Sequence, residues 1–463
     1  MRRMIAALAC LLAAGLCPSS AVAQDAPYQR EARQIFARLI AFHSSAGQRQ
    51  VPPMIDYIVQ TLRAAGVPAE DIVVIPHEET AALLVRVPGR DPSARPILFS
   101  SHLDVVEARR EDWERDPFQL VEENGFFFGR GVEDDKFGDT AMISTMLRMR
   151  AAHFRPRRTL VFAFIGDEET TFATTRLVAA HPWVRSAEYA LNTDAVSGIL
   201  APDGRPILYI VNSGEKTYAT FRVTARNPGG HSSLPRPDNA IYDLSRALLR
   251  VADYSFPATS NPVQLQYLAA LGRVTPGEAG QALIRFAANP ADAQAVAVLR
   301  RIPDFAAAIA TTCVPTMLSA GHAENALPQR AEALVNCRIF PDEPVAAVRD
   351  ALVRIIANPE ITVELTAEPE ISPISQPRAD VMAAIERSIH RLHPGVPIAS
   401  NIETGGSDGL IYRHAGIPTY ATAGTFIRPE DIYAHGLNER IPVASFYESL
   451  DHLHDLAVTL GGR

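Results

Sequence analysis

An unbroken apolar strand that empties directly into a cluster of acids constrains this chain more than any other feature. The segment TLVFAFI (159–165) is followed at once by Gly166-Asp167-Glu168-Glu169. A short apolar run with so sharp an end reads as a strand covered on both faces, as in parallel sheets. Open α/β sheets place their sites at the carboxyl ends of such strands. Three carboxylates crowded there repel one another unless solvent or a cation offsets the charge. The loop is therefore either solvated or a metal site.

The rest of the chain extends the α/β pattern. Residues 28–42 and 53–65 read as amphipathic helices, 82–87 as a short apolar run and 96–101 (PILFSS) as a buried strand. A helix over 135–152 precedes the TLVFAFI strand, and another strand begins at 189–191. Strands alternating with helices predict a mostly parallel sheet flanked by helices. Near Gly214 the pattern changes: strand 218–225, helix 239–251, strands 314–319 and 333–340, helix 344–356, strand 361–365. With an Ala-rich, Pro-punctuated stretch at 255–310 set aside, this is the order of a ferredoxin-like α+β unit. The 255–310 stretch either covers a cleft or enlarges that unit. Helix 380–392, strand 417–421 and helix 443–460 return to the first pattern. A domain over 214–370 is thus expected as an insertion in a larger one formed by 24–213 and 371–463.

The 463 residues suffice for two domains, and 47% of them are hydrophobic. A net charge of −8 gives no basic field for nucleic acid. Arg2 and Arg3, an apolar stretch over 5–16 and Ala21-Val22-Ala23 predict a signal peptide over 1–23, too short in its apolar part to be a membrane anchor. The mature chain is expected to be periplasmic or secreted. It keeps Cys313 and Cys337, which either form a disulfide or remain two buried thiols.

Several further residues carry chemistry. His102-Leu103-Asp104 follows the PILFSS strand; in extended geometry i and i+2 point one way, so Asp104 can accept the spare N–H of His102. The GRGVEDDK segment (129–136) sets acids beside a glycine turn. Asn192-Thr193-Asp194 follows a strand, and His435 lies in YAHGLNER beyond the 417–421 strand. The collected set is His102, Asp134, Glu168, Glu169, Asp194 and His435. Imidazole and carboxylate suit zinc without cysteine. Five ligands with one shared carboxylate would hold two zinc ions roughly 3.5–4 Å apart, leaving one of the adjacent glutamates free as a base.

The motifs SHLDVV, GRGVEDDK, GDEE, NTDA, PGGHSS and HGLNERI occur here in the order found in metallopeptidase family 20, and the chain resembles that family over nearly all of its mature length. The family comprises co-catalytic zinc hydrolases such as glutamate carboxypeptidase, aminoacylase and carnosinase. AENALPQRAEALVNCRIFP and the HGLNERI ending resemble its Gly-Xaa carboxypeptidase and N-acyl-amino-acid hydrolase branch. The resemblance implies a zinc-exopeptidase catalytic domain with an inserted lid, and two zinc ions for which cobalt or manganese would substitute. His102 and Asp194 would bind one zinc, Glu169 and His435 the other, and Asp134 would bridge them. Glu168 would be the general base and Asp104 would orient His102. His231, in GGHSS, resembles a lid histidine that stabilises the oxyanion in a dimer partner's site. Asn325 and Arg338 resemble lid residues holding the substrate's carbonyl and carboxylate, and Gly406 and Ser407 a backbone substrate-binding loop. The implied reaction releases a C-terminal amino acid from a small peptide or an N-acyl amino acid, with a homodimer formed through the lid.

Two departures from the family pattern stand at the pocket: Thr170-Thr171-Phe172 where a glycine pair is usual, and Ala195-Val196 after Asp194. Other readings are a dipeptidase, which needs both substrate termini free, an aminopeptidase, which normally lacks the inserted unit, and a non-catalytic periplasmic binding module on the same fold.

Overall fold

The computed structural model describes residues 26–462. The expected signal peptide lies outside the described residues, as does Cys17. Among the described residues no helix is long and apolar enough to cross a membrane.

The sheet grows from the predicted strands. Leu160–Ile165, Ile97–His102, Tyr189–Asn192 and Thr419–Ala421 lie side by side, all parallel, at the centre of a ten-stranded sheet. The first two are buried along their whole length, as continuous apolar strands require. Antiparallel strands extend one edge through Thr80–Val87 to Ile72–His77. On the other side Thr419–Ala421 meets Pro206–Glu215, which pairs in parallel with Ile398–Glu403. One face is covered by Pro27–Ile40, Val51–Ala64, Lys136–Ala151, Ala379–Leu392 and Val443–Gly461, whose apolar sides join the largest core cluster. The short Ala173–Ala180 and Gly409–His414 helices cover part of the opposite face.

A second, four-stranded antiparallel sheet runs in the order Thr312–Ala320, Arg330–Ile339, Thr217–Arg226, Ile361–Leu365. The helices Ala240–Asp253 and Val345–Ile356 pack on it and share its core. This is the ferredoxin-like order expected from the sequence. Cys313 and Cys337 stand opposite each other on neighbouring strands and form a disulfide, so the open alternative of free thiols falls away.

The 255–310 stretch is helical: Pro262–Val274, Gly277–Ala288, Ala293–Leu299 and Pro303–Ile309. It does not enlarge the small sheet. Ala270, with Tyr267, Leu271 and Val274, packs on Leu208, Ile210 and Ala399 of the large one. Gln264 fixes the contact by accepting the Ile402 amide at 3.1 Å. The ends of the insertion meet each other, with an isolated bridge between Ala258 and Ala310.

Candidate metal and catalytic site

Loops at the carboxyl ends of the central strands supply the site. His102 ends one strand, Glu168 and Glu169 follow the next, and Asp194 follows a third. Asp134 comes from the turn before the Lys136–Ala151 helix, and His435 from the loop before the last helix. Asp134 stands between the two imidazoles. Its Oδ1 lies 2.7 Å from His102 Nε2 and its Oδ2 lies 3.1 Å from His435 Nε2. His435 Nε2 is also 2.9 Å from Glu169 Oε1.

The tautomer of His102 makes this a candidate cation site. Its Nδ1 faces the Asp104 main-chain carbonyl at 2.9 Å, and a carbonyl only accepts, so Nδ1 carries a hydrogen. Nε2 then faces a carboxylate oxygen, which requires a second proton or a metal ion at that nitrogen. His102, Asp134 and Glu169 offer ligand atoms within 4.8 Å of one another, a spacing that suits one ion. An imidazole on each oxygen of Asp134 fits the bridging role expected for it. Asp194 and Glu168 lie in the same electrostatic neighbourhood, where burial and adjacent carboxylates push both far above the usual carboxylate range. For Asp194 the foremost of those neighbours is Asp134; for Glu168 they are Asp194, Asp408 and Glu169. Burial opposes protonation of His102, yet the facing Asp104 and Asp134 hold its pKa well above the ordinary value. Hydrogen bonds to Asp134 and Glu169 raise that of His435 to about 10. Asp134 goes the other way: although burial opposes it, the two imidazoles on its oxygens hold its carboxyl below the usual carboxylate range.

One expectation is corrected. The Asp104 carboxylate does not take the His102 N–H, from which it lies 3.7 Å away; the Asp104 main chain does. The carboxylate instead accepts the amides of Glu168 and Glu169, both at 3.0 Å. A strand that curls as it leaves the sheet brings its own carbonyl to the ring and frees its side chain for the neighbouring loop. Asp104 thus orients the histidine and both glutamates by separate groups.

Sequence reasoning missed Glu439 and Arg130. Glu439 is fully buried, with Arg130 Nη1 at 2.5 Å from its Oε2. The same carboxylate accepts the amides of Gly131, Glu133 and Asp134, the first in a left-handed turn at φ +86° that glycine permits. Arg130 also donates to the Gly436 carbonyl at 3.1 Å, beside His435, which is itself left-handed at φ +63°. One ion pair therefore staples the Asp134 loop to the His435 loop. Both residues lie inside motifs that stand out for other members, GRGVEDDK and HGLNERI, and nothing in either motif points to the other.

The remaining predicted residues fall into two groups. Arg338, half-buried, lies over the Tyr218 ring at 4.8 Å, and its Nη1 reaches the Thr404 carbonyl at 3.4 Å, beside the 405–408 loop. Within that loop Ser407 is already engaged: its amide and hydroxyl donate to Glu215 at 3.2 and 2.7 Å. Gly406 is open, and a Cβ there would meet nothing within 4 Å. His231 and Asn325 come together in a different place. His231 pairs with Ala326 in a two-residue ribbon, and the Ser232 amide donates to the Asn325 carbonyl at 3.1 Å. Both are exposed, and the His231 ring bonds Ser233. The ribbon continues the small sheet beyond the Arg226–Arg330 pair, whereas Arg338 pairs with Tyr218 at the other end. At a strand rise of about 3.3 Å per residue, Arg338 and Arg330 stand roughly 27 Å apart. His231 and Asn325 are thus separated from Arg338 by the length of the sheet.

Fold and site together define a hydrolase of the peptidase M20 class: the chain belongs to peptidase family M20/M25/M40, whose model matches residues 98–459. Among curated proteins it is similar to the human N-fatty-acyl-amino acid synthase/hydrolase PM20D1, 26% identical over 82% of this chain and 78% of that protein. It is also similar to probable carboxypeptidase S-like 2 of Dictyostelium discoideum, 25% identical over 80% of this chain and 72% of that protein. Among solved structures, an M20 family metallo-carboxypeptidase from Sulfolobus solfataricus shares the fold with a TM-score of 0.68 at 17% identity, covering 93% of this chain and 99% of that one.

Proposed function

We propose that this enzyme is a dinuclear zinc hydrolase that cleaves the amide bond of an N-acyl amino acid or short peptide and releases the C-terminal amino acid. The observation that carries the reading is Asp134, with one imidazole on each carboxylate oxygen and Glu169 beside the second. His102 and Asp194 would hold one ion, Glu169 and His435 the other, and Asp134 both. Bound metal ions of this kind polarise a carbonyl and acidify water.

The protein's own groups do the rest. Glu168 is buried beside the ligand set, and its backbone is fixed by Asp104. A carboxylate whose ionised form is disfavoured is a good proton acceptor, so Glu168 takes a proton from the attacking water and returns it to the leaving nitrogen. Arg338 and the open Gly406 backbone receive the free carboxylate, for which a planar guanidinium is geometrically selective. The similarity to an N-fatty-acyl-amino acid synthase/hydrolase and to carboxypeptidase S-like proteins supports a free amino-acid carboxylate on the substrate.

His231 and Asn325 fit this scheme as groups supplied by a second copy, since their own sheet separates them from Arg338. The Thr312–Ala320 edge strand supports such a dimer, with Val314, Met317 and Leu318 all exposed. With the leader over 1–23, the mature enzyme would act in the periplasm or outside the cell.

The test compares an N-acyl amino acid with its C-terminal amide. Arg338→Ala should raise KM for the free acid by about 10- to 100-fold, the loss of a charge-assisted pair, and leave the amide almost unchanged. Equal effects on both substrates would remove the carboxylate-anchoring reading. A dipeptidase would instead reject N-blocked substrates in the wild-type enzyme.

A further inference from the structure

The chain leaves the large sheet through a single residue, Lys216, between the Pro206–Glu215 and Thr217–Arg226 strands. It comes back through residues 366–378. A buried ion pair stands where the two crossings meet. Glu215 Oε1 lies 2.5 Å from Arg413 Nη2, and the side chains are 4% and 2% exposed. Arg413 Nε donates to Ser372 Oγ on the return segment at 2.8 Å, and Nη1 donates to the Thr419 carbonyl at 3.1 Å. Glu215 in turn accepts the hydroxyl and amide of Ser407. The next residue along, Lys216, donates its amide to the Glu403 carbonyl at 2.9 Å. One carboxylate and one guanidinium therefore join the outgoing crossing, the return crossing and the 404–408 loop.

Stability alone is a poor reason for this arrangement. Burying two charges carries a desolvation cost that apolar residues of similar size avoid. What the pair adds is direction. Glu215 accepts both Ser407 donors at once, which fixes how the loop turns past Gly406. Two residues before Gly406, Thr404 turns its carbonyl toward Arg338. The receiving groups for the substrate thus come from different sheets, and the ion pair sits at the joint between them.

We propose that Glu215 and Arg413 are positioning residues that hold the 404–408 loop against the crossings, so that the Gly406 backbone and Arg338 meet one substrate in a set geometry. The proposal rests on the carboxylate-anchoring role given to Arg338 above. Neither residue touches the metal ligands or the scissile bond in this scheme; both act through Ser407 and through the orientation of the small sheet.

Kinetics of Arg413→Met together with Glu215→Gln test it, because the double change leaves no unpaired buried charge. The folded, metal-loaded double variant should show a KM for the N-acyl amino acid raised about tenfold or more, with kcat within about threefold of wild type. Glu215→Gln alone leaves the Arg413 charge buried without a carboxylate and turns an NH2 group against one of its donors, so its KM should rise at least as far as that of the double variant. Metal content and thermal midpoint are measured alongside. A double variant with wild-type KM overturns the proposal, and so does one whose kcat falls in step with its metal content, since that marks a purely structural pair. Arg338→Ala with acid and amide substrates separates the two layers. If Arg338→Ala discriminates and the double variant does not, only the positioning role fails. If Arg338→Ala affects both substrates equally, the carboxylate reading fails, and a raised KM in the double variant for either substrate still supports positioning of the loop.

Discussion

An asparagine in place of Asp104 would keep one acceptor oxygen and turn an NH2 group against the second glutamate amide. Because Asp104 fixes Glu168 and Glu169 through their backbones, the change should lower kcat/KM and metal affinity about 10- to 100-fold, as is usual for groups that orient ligands. Steady-state kinetics in metal-buffered assays would check this, and an unaffected variant would show that the loop holds itself. His452 offers a test far from the site. Burial, and then Arg391, depresses its pKa to about 3, and its ring lies between Ser388 and Thr422 hydroxyls at 3.0 and 2.9 Å. The unfolded chain takes up a proton near pH 6.5 that the folded chain refuses until about 3, so stability is full above that window and falls as pH drops through it. At about pH 5 the loss is about 2 kcal/mol, and His452→Gln should flatten that part of an acid-denaturation profile. The candidate ligand residues stood out in the sequence because they are acids and imidazoles behind apolar strands. Glu439 did not, since its meaning depends on Arg130, 309 residues away.

Strands that alternate or run apolar announce themselves, and those at 97–102, 160–165 and 217–226 do so. Pro206–Glu215 opens on an apolar run, PILYIV, that was open to reading, whereas Ile398–Glu403 was hidden because Ser400 and Asn401 carry polar groups into the interior. Asn401 donates to Asn212 at 3.1 Å, and Asn212 donates to Glu403 at 2.6 Å, across the parallel pair. Buried polar pairs of this kind erase the apolar pattern from which a strand is read. Ile72–His77 is an edge strand with a proline, which hides it for a different reason. The disulfide acts at the same scale, clamping the exposed edge strand to its neighbour across a separation of 24 residues. Loop-closure entropy assigns such a link about 3 kcal/mol. Cys313→Ser with Cys337→Ala should lose that amount in urea titration, and reductant should then have no further effect; an unchanged midpoint would show that the sheet alone holds the strand.

Taken whole, a molecule that holds metal at this site, as proposed, would couple metal loading to protons. With the metal absent, hydrogen bonds to Asp134 and Glu169 keep His435 protonated up to about pH 10, and His102 is held protonated in the same way. If the site takes zinc as proposed, binding at about pH 7.5 should therefore expel protons. Titration calorimetry in buffers of different ionisation enthalpy should show release of at least one proton per chain on reloading, and a buffer-independent heat would contradict it. The ferredoxin-like order of the second sheet was legible because the order of elements from 214 to 365 differs from what surrounds it. The place of the 255–310 helices was not, since it is the contacts of Ala270 with Leu208 and of Gln264 with Ile402 that reveal which sheet they serve. Because Ala258 and Ala310 touch, the intervening chain forms a closed handle whose two roots share one spot. Removing or exchanging it would ask for no stretching of the backbone that remains. A surgeon of this protein could thus cut there without straining the chain, at the cost of baring Leu208, Ile210 and Ala399 and of losing the Gln264 bond to the Ile402 amide.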